Sequence, residues 1–249
     1  MIYFWQKDWF GIEFASFSDI NANVLPTNDF YKSFYKQFYK KFSSYNDLPY
    51  DWKKEKLKIV SFLLDIVKDK TNILSIGCGN GFIETELAKQ SLIISGGKKR
   101  RGGQIVAIDP SVNSSNWIVN DSNISFINGY FPSDIKNIFS CSKFDFAYIS
   151  YIDYVLNNED YINIIQSIKN YPINDFIFIG LCIYKPNFIL LSKYFIKRLL
   201  SKFGFYKAQL WGYQRTINEH LAIFKKAGFS NISYGCIDGD IFWIRSKND

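Results

Sequence analysis

Three closely spaced glycines follow an apolar run at residues 73–76, in the stretch Gly77-Cys78-Gly79-Asn80-Gly81. The apolar run predicts a buried strand, and residues 82–88 predict a helix that starts directly after the glycines. Glycines at this spacing permit a tight turn and let a ligand approach the backbone closely. The free N–H groups and the dipole at the start of the helix favour an anionic group. The stretch therefore predicts a binding loop for a ligand that carries a carboxylate or a phosphate.

A carboxylate stands at the end of the next predicted strand. Residues 104–108 form a second apolar run, which ends in Asp109 and Pro110. In a parallel sheet this position faces the crevice at the carboxyl ends of the strands, where a carboxylate can take both hydroxyls of a ribose. A dinucleotide fingerprint would read G-x-G-x-x-G, but here the third glycine comes one residue too early.

The glycine spacing and the order of the downstream segments resemble those of class I methyltransferases that depend on S-adenosylmethionine (SAM), over roughly residues 55–249. The resemblance implies SAM as the cofactor and S-adenosylhomocysteine (SAH) as the product. The residues that it implies for cofactor binding are Ser75, Gly77, Cys78, Gly79, Asn80, Gly81, Asp109, Pro110, Gly129, Tyr130, Ser150 and Tyr151.

Two of these positions depart from the family pattern. The family usually carries an acidic residue at the position of Ser75, so that contact is weaker here or comes from elsewhere. Glu84 is a candidate substitute, although it also fits a solvated helix residue. An acidic residue is common near the position of Tyr130, where the tyrosine could instead offer adenine its ring face or its hydroxyl.

The resemblance implies an α/β fold with a Rossmann-like, doubly wound, mostly parallel seven-stranded sheet, a C-terminal antiparallel hairpin and an N-terminal helical cap. We expect an N-terminal arm and cap at 1–50 and a methyltransferase domain at 51–249. A helix inserted at about 186–204 carries apolar residues at helical spacing, which predicts core packing. The basic loop at 95–103 leads from a helix into a strand, away from the ligand edge, so we expect a mobile, solvated loop.

The N-terminal part is aromatic. Residues 1–26 lack a firm period and predict an irregular arm packed on the body. Thr27 or Asn28 can cap a following helix that repeats Phe-Tyr-Lys, so that Phe, Tyr and Lys form three parallel stripes. The helix fits an amphipathic cap with a solvated Lys face; alternatively, Tyr31 and Tyr35 line an acceptor pocket. Asp51 could cap the second helix, whose apolar residues are Leu57, Val60, Leu64 and Val67.

Methyl transfer needs a base only if the acceptor must lose a proton, as a hydroxyl must. His220 lies near the start of a late helix and is the single best candidate, although it also fits a core or helix-surface histidine. Asp153, Tyr151 or Tyr154 could serve instead.

The predicted link at 209–215 should reach the same cleft, which adds Trp211, Tyr213 and Arg215 to Tyr154 as candidate substrate-binding residues. Arg215 could grip a phosphate or carboxylate through its planar fork. The alternative is a surface arginine beside two aromatic residues packed on the sheet edge.

Composition limits the classes of protein that the chain can belong to. The 249 residues are 47% hydrophobic and 19% aromatic, which suffices for a core and an aromatic-lined pocket. Four dispersed cysteines and one histidine predict neither a zinc site nor a disulfide framework. Apolar runs are too short for a membrane span and no signal peptide is visible, so we expect no membrane span and a cytoplasmic protein.

The sequence therefore predicts a SAM-dependent enzyme that methylates an oxygen of a small polar acceptor. The net charge of +7 favours an anionic acceptor. A sugar, a nucleotide-linked sugar or a phosphorylated metabolite of bacterial surface-polysaccharide (capsule) modification would fit. The alternatives are an RNA or protein methyltransferase that uses the basic surface, and a non-catalytic SAM-binding partner protein. Residues 150–153 do not read as the N-P-P-Y signature of DNA amino-methyltransferases. The oligomeric state stays open.

Overall fold

The computed structural model describes residues 2–94, 104–111, 123–138, 143–183, 188–205 and 207–247. Its strands are β1 (Ile2–Gln6), β2 (Asp8–Trp9), β3 (Ile12–Glu13), β4 (Asn72–Ile76), β5 (Gln104–Asp109), β6 (Ile124–Asn128), β7 (Phe146–Ser150), β8 (Asp175–Leu181), β9 (Gln209–Gln214), β10 (Ile232–Asp238) and β11 (Ile241–Lys247). Its α-helices are α1 (Asn28–Lys41), α2 (Tyr50–Val67), α3 (Phe82–Ile94), α4 (Ser133–Ile138), α5 (Asn158–Lys169), α6 (Phe188–Lys202) and α7 (Ile217–Lys226). Short 3-10 helices lie at Phe14–Ser16, Tyr45–Asp47 and Asp153–Val155.

Seven strands form the main sheet, in the order β10-β11-β8-β7-β4-β5-β6. β4 pairs in parallel with β5 and β7, and the parallel pairing continues to β6 and β8. β11 is antiparallel to both β8 and β10. This arrangement confirms the predicted doubly wound, Rossmann-like α/β sheet with a C-terminal antiparallel hairpin. The strand order reverses at β4, and ligands bind at such a point, beside the carboxyl ends of the strands.

The central strands are largely apolar because helices cover both faces of the sheet. Ile73 of β4 belongs to the core beneath α2 and α3, together with Ile59 and Leu87. Leu74 belongs to the core on the other face, which α5 and α7 cover. Alternate residues of one strand therefore hold the two cores together.

The predicted cap helix is confirmed. Thr27 caps α1, because its Oγ1 accepts a hydrogen bond from the Phe30 amide at 3.2 Å. Phe30, Phe34 and Phe38 are fully buried in one aromatic cluster, which also contains Trp211 of β9. The phenylalanine stripe thus fastens the helix over the ligand edge of the sheet.

Two segments that the sequence predicts as irregular are strands. β1 pairs antiparallel with β9, with Ile2 opposite Gln214, so the predicted arm and the predicted link at 209–215 form a two-stranded sheet. The prediction of an irregular link was wrong, and that of an irregular arm was wrong for its short strands, because the two partners lie far apart in the chain. Local periodicity carries no signal for such a pairing.

The second helix differs from its prediction in detail. α2 follows Pro49 and has no side-chain cap, and Asp51 lies within its first turn. Leu57 is exposed, whereas the buried residues include Lys56, Ile59 and Leu63. Of the predicted apolar residues, Val60 and Val67 are buried, and the buried stripe also contains a lysine.

Two further predictions concern charged and apolar surface segments. Helix α6 forms as expected, but Phe188, Ile189 and Phe195 are exposed, so core packing does not explain its apolar residues. The basic loop at 95–103 and the residues at 112–122 lie outside the described residues. No helix in the described part of the chain is long and apolar enough to span a bilayer.

Candidate active site

A cavity of about 680 Å³ lies at the carboxyl ends of β4, β5, β6 and β7. Its volume is within the range of small-molecule binding pockets. Of the residues that the sequence singles out, its walls include Tyr31, Tyr35, Gly77, Cys78, Gly79, Asn80, Asp109, Pro110, Gly129, Tyr130, Ser150, Tyr151, Asp153, Tyr154, Trp211 and Tyr213. Ser75, Gly81, Glu84, Arg215 and His220 do not line it.

The glycine loop is built as the sequence predicts. Gly77, Gly79 and Gly81 have φ values of +76°, +55° and +73°, in the left-handed region that favours glycine. A Cβ on Gly77 would lie 2.3 Å from Cγ2 of Ile152, so this position also has no room for a side chain. Gly81 faces the ring of Phe126, which explains why it supports the loop without lining the cavity.

Asp109 ends β5 and faces the glycine loop. Its Oδ2 accepts a hydrogen bond from the Gly79 amide at 3.0 Å, and its Oδ1 accepts one from the Ser111 amide at 2.7 Å. Burial raises the pKa of this carboxyl group. A carboxylate has about four acceptor positions, so acceptor capacity remains for the hydroxyls of a ligand. These acceptor positions fit a ribose, whose hydroxyls are donors.

Ser75 and Glu84 form a buried pair beneath the loop. Ser75 Oγ donates to Glu84 Oε1 at 2.6 Å, and the Tyr148 hydroxyl donates to the same oxygen at 2.7 Å. Burial raises the pKa of Glu84. The expectation of direct cofactor contact by Ser75 is corrected, because the serine is buried behind the loop. Glu84 is not a solvated helix residue; it brings a carboxyl group to the serine position.

The opposite wall contains a cluster that the sequence analysis missed. The Tyr151 hydroxyl donates to Glu55 Oε1 at 2.9 Å, and Lys56 Nζ donates to the same oxygen at 2.8 Å. The Lys56 ammonium also lies 3.3 Å from the centre of the Tyr151 ring. Burial lowers the pKa of Lys56. The sequence feature that could have indicated this cluster is the lysine within the apolar stripe of α2.

The backbone of Tyr151 is strained. Its φ of +59° is rare for a residue with a side chain and costs about 1–3 kcal/mol. The Tyr151 amide donates to the Ile179 carbonyl at 3.0 Å, while its hydroxyl bonds Glu55. These contacts at both ends of the residue hold the conformation and fix the ring in the cavity wall.

Aromatic side chains cover the cavity. The ring of Trp211 stacks between Phe14 and Tyr154, with centroid distances of 4.8 and 6.3 Å. The hydroxyl of Tyr45 donates to the Asn80 carbonyl at 2.8 Å, so the N-terminal region contacts the glycine loop directly. Asn28 at the start of α1 donates to the hydroxyl of Tyr130 across the cavity.

The tyrosines of the wall are weak acids here. Burial raises the pKa of Tyr31, Tyr35, Tyr151 and Tyr154. At neutral pH they therefore stay protonated and can donate hydrogen bonds. This removes Tyr151 and Tyr154 as bases.

His220 does not face the cavity, and its predicted position was wrong. It is fully buried, its ring centre lies 4.7 Å from that of Phe242, and its Nδ1 lies 3.1 Å from the Tyr161 hydroxyl. Burial lowers the pKa of His220 to about 3. The helix begins at the predicted place, but its buried face turns the imidazole into the core.

Arg215 is buried beneath the cavity wall, so the predicted contact with an acceptor was also wrong. Its Nη1 donates to the Asp153 carbonyl at 2.6 Å, and its Nη2 donates to the Leu156 carbonyl at 2.6 Å. Its Nε and Nη2 donate to Asn158 Oδ1 at 3.1 and 3.0 Å. The guanidinium therefore binds the protein's own loop after β7. It is neither a surface residue nor a ligand clamp.

Asp153 links this buried layer to the cavity. It lines the wall, and its Oδ2 lies 3.8 Å from Nε2 of His220. Burial raises the pKa of Asp153 to about 7, although the positive charge of Arg215 acts in the opposite direction. Asp153 therefore changes protonation state near neutral pH.

No protein-family model and no curated protein sequence matches the chain. Solved structures do match it. Human N-acetylserotonin methyltransferase in complex with SAM is 14% identical with a TM-score of 0.51, and the match covers 79% of this chain and 56% of that chain. Mitomycin 7-O-methyltransferase is also 14% identical with a TM-score of 0.51, and the match covers 79% of this chain and 54% of that chain. Magnesium protoporphyrin IX methyltransferase from Synechocystis with bound SAH is 12% identical with a TM-score of 0.56, and the match covers 89% of this chain and 97% of that chain.

The chain has the class I methyltransferase fold. It spans little more than half the length of the first two proteins and nearly all of the third. In the methyltransferase fold the cavity lies where the strand order reverses, at the glycine loop and Asp109. One fold hosts many functions, so the function depends on the cavity residues. Among the described residues, no group of three or more His, Cys, Asp or Glu is placed to hold a metal ion.

We predict that Arg215→Met lowers the free energy of unfolding by about 2–4 kcal/mol, because it leaves buried carbonyl groups without donors. Urea denaturation measures the change. Arg198→Met, the same substitution at an exposed position of α6, is the control and should change stability by less than about 0.5 kcal/mol. Equal, small losses in both variants would contradict the structural role of Arg215.

Proposed function

We propose that the protein is a SAM-dependent O-methyltransferase that acts on a small acceptor. The observation that carries the proposal is the left-handed glycine loop facing the Asp109 carboxylate at the ligand edge of a methyltransferase fold. Human N-acetylserotonin methyltransferase binds SAM, and magnesium protoporphyrin IX methyltransferase binds SAH, in structures of the same fold.

The chain offers contacts for each part of SAM. Asp109 has acceptor positions left for the ribose hydroxyls. Gly129 and Tyr130 follow the neighbouring strand β6 and would flank the adenine. The loop of Gly77, Cys78, Gly79 and Asn80 at the start of α3 would receive the methionine end. When bound, SAM supplies a methyl group on a sulfonium centre, which an acceptor oxygen can attack.

The remaining wall is suited to a small acceptor with a flat body and a polar end. Trp211 and Tyr154 offer ring faces, while Glu55, Lys56 and Tyr151 form the polar side. Holding the acceptor oxygen in line with the methyl group can supply much of the rate. We propose that the aromatic cover and α1 provide this positioning and exclude water.

We also propose that the acceptor carries an anionic group. The net charge of +7 supports this. Lys56 is the cation in the described cavity wall, but its ammonium group is paired with Glu55. Arg215 gives no support, because its donors are used inside the protein. A nucleotide-linked or phosphorylated sugar, as used in surface-polysaccharide modification, is the class to test first. A cavity walled by α1, β9 and the loop after β7 favours such an acceptor over RNA or protein.

A hydroxyl acceptor must lose its proton, and we propose Asp153 as the base. It lines the cavity, and its pKa of about 7 suits proton transfer near neutral pH. The deprotonated carboxylate is the active form, so activity should increase as the pH rises through the pKa. His220, protonated only far below neutral pH, would stay neutral behind it.

We predict that Asp109→Asn weakens SAM binding at least tenfold, about 1.4 kcal/mol, because an amide NH2 group cannot accept a hydrogen bond from a ribose hydroxyl. Isothermal titration calorimetry with SAM and with SAH measures the affinity. Asp145→Asn is the matched control, since Asp145 also accepts from two backbone amides, Thr71 and Asn72, but lies outside the cavity. Unchanged affinity in the Asp109 variant would remove the carboxylate from the ribose site.

We predict that kcat/KM rises with pH and levels off above about 7, and that Asp153→Asn abolishes this rise and lowers the rate by about 10²–10⁴-fold. Transfer of label from methyl-labelled SAM to low-mass acceptors measures the rate across pH. Calorimetry with SAH controls for intact cofactor binding. A variant that keeps both the wild-type rate and the wild-type pH profile would exclude Asp153 as the base.

A further inference from the structure

Helix α6 exposes a broad apolar surface. At 100° per residue its exposed apolar side chains fall within roughly half of the helix circumference. Phe188 is 83% exposed, Phe195 is 60% exposed and Phe203, directly after the helix, is 67% exposed. We call this surface the outer face of α6; it consists of Phe188, Ile189, Leu191, Phe195, Ile196, Leu199, Leu200 and Phe203.

The opposite side of the helix is the one that packs on the protein. The Tyr194 hydroxyl donates to Gln214 Oε1 of β9 at 2.7 Å, and Ser201 is buried. The helix also contacts β1. The outer face is therefore directed away from the fold, and the described residues leave it uncovered. Patches of this kind mark interaction sites.

Basic residues border the outer face. By helical position, Lys193 lies next to one edge of the face and Arg198 lies next to the other, and both are exposed. The sequence of α6 contains no Asp or Glu. A helix with a broad apolar face, aromatic residues and a basic polar side is typical of helices that lie in the interface of a membrane.

We propose that α6 is an interfacial helix that binds the protein to the surface of an anionic lipid bilayer. The phenylalanine and leucine side chains enter the boundary between headgroups and acyl chains, while Lys193 and Arg198 contact anionic headgroups. The helix lies parallel to the membrane plane and does not cross it. Because Gln214 bonds α6 and also lines the cavity, binding holds the cavity cover next to the bilayer.

Charge favours lipid over a second copy of the chain. A symmetric contact between two outer faces would bring Lys193 and Arg198 close to the same residues of the other copy. The helix has no acidic side chain to pair with them, so the contact would be repulsive. With anionic headgroups, by contrast, each lysine and arginine near the surface makes the binding free energy more favourable.

Flotation of the full-length protein with lipid vesicles tests the proposal. We expect binding to vesicles of phosphatidylcholine with about one third phosphatidylglycerol, weaker binding to pure phosphatidylcholine, and a decrease with salt. Phe188→Ser combined with Phe195→Ser should lower the partition coefficient at least about tenfold, because two exposed rings no longer enter the bilayer. Tyr50→Ser with Tyr234→Ser, two exposed aromatic residues elsewhere, is the control and should leave partitioning unchanged.

A pair of charge-reversal variants tests the electrostatic contribution to vesicle binding separately from the apolar contribution. Lys193→Glu with Arg198→Glu should reduce binding to anionic vesicles, whereas Lys225→Glu with Lys226→Glu, the same charge change on exposed residues of α7, should reduce it less. Circular dichroism and SAH binding verify that each variant is folded. Absence of wild-type binding to anionic vesicles, or equal losses in test and control variants, overturns the proposal. The proposal is also overturned if light scattering shows a dimer without lipid and the Phe188→Ser, Phe195→Ser variant is a monomer.

Discussion

The buried guanidinium of Arg215 ties the sheet to the wall of its own cavity. The guanidinium donates to the carbonyls of Asp153 and Leu156 and to the amide oxygen of Asn158. The backbone carbonyl of Arg215 accepts a hydrogen bond from the Ile183 amide at 2.9 Å. Burying a cation costs several kcal/mol unless its hydrogen bonds are satisfied, so the loop after β7 must present those oxygens. The position of the wall from Tyr151 to Leu156 thus depends on a charge that lies outside the cavity lining.

On this frame the cavity divides into two halves of different chemistry. The half at the glycine loop is made by backbone groups and one carboxylate, which requires three left-handed glycines and little else. The other half is made by rings from α1, β9 and the loop after β7, together with the polar cluster of Glu55, Lys56 and Tyr151. Beneath the glycine loop, Glu84 of α3 brings a carboxyl group to Ser75 of β4.

The sequence was sufficient for features whose cause is local. Glycine spacing, apolar strands and the Thr27 cap each depend on a few adjacent residues, and each is confirmed. The pairing of β1 with β9 joins segments that lie far apart in the chain, which no local pattern reveals. Arg215 and His220 were misplaced because residue type shows what a side chain can donate or accept, not whether the protein itself supplies the partner. The apolar period of α6 likewise predicted a face without indicating what covers it.

The most direct test of the account is to incubate the purified protein with methyl-labelled SAM and a cell extract separated into low-mass metabolites, protein and RNA. We expect label to enter the low-mass fraction, because the cavity is walled by α1, β9 and the loop after β7. Label confined to RNA or protein would contradict the enclosed acceptor. SAM binding without incorporation into any fraction would contradict the proposed enzymatic activity and favour a non-catalytic SAM-binding protein.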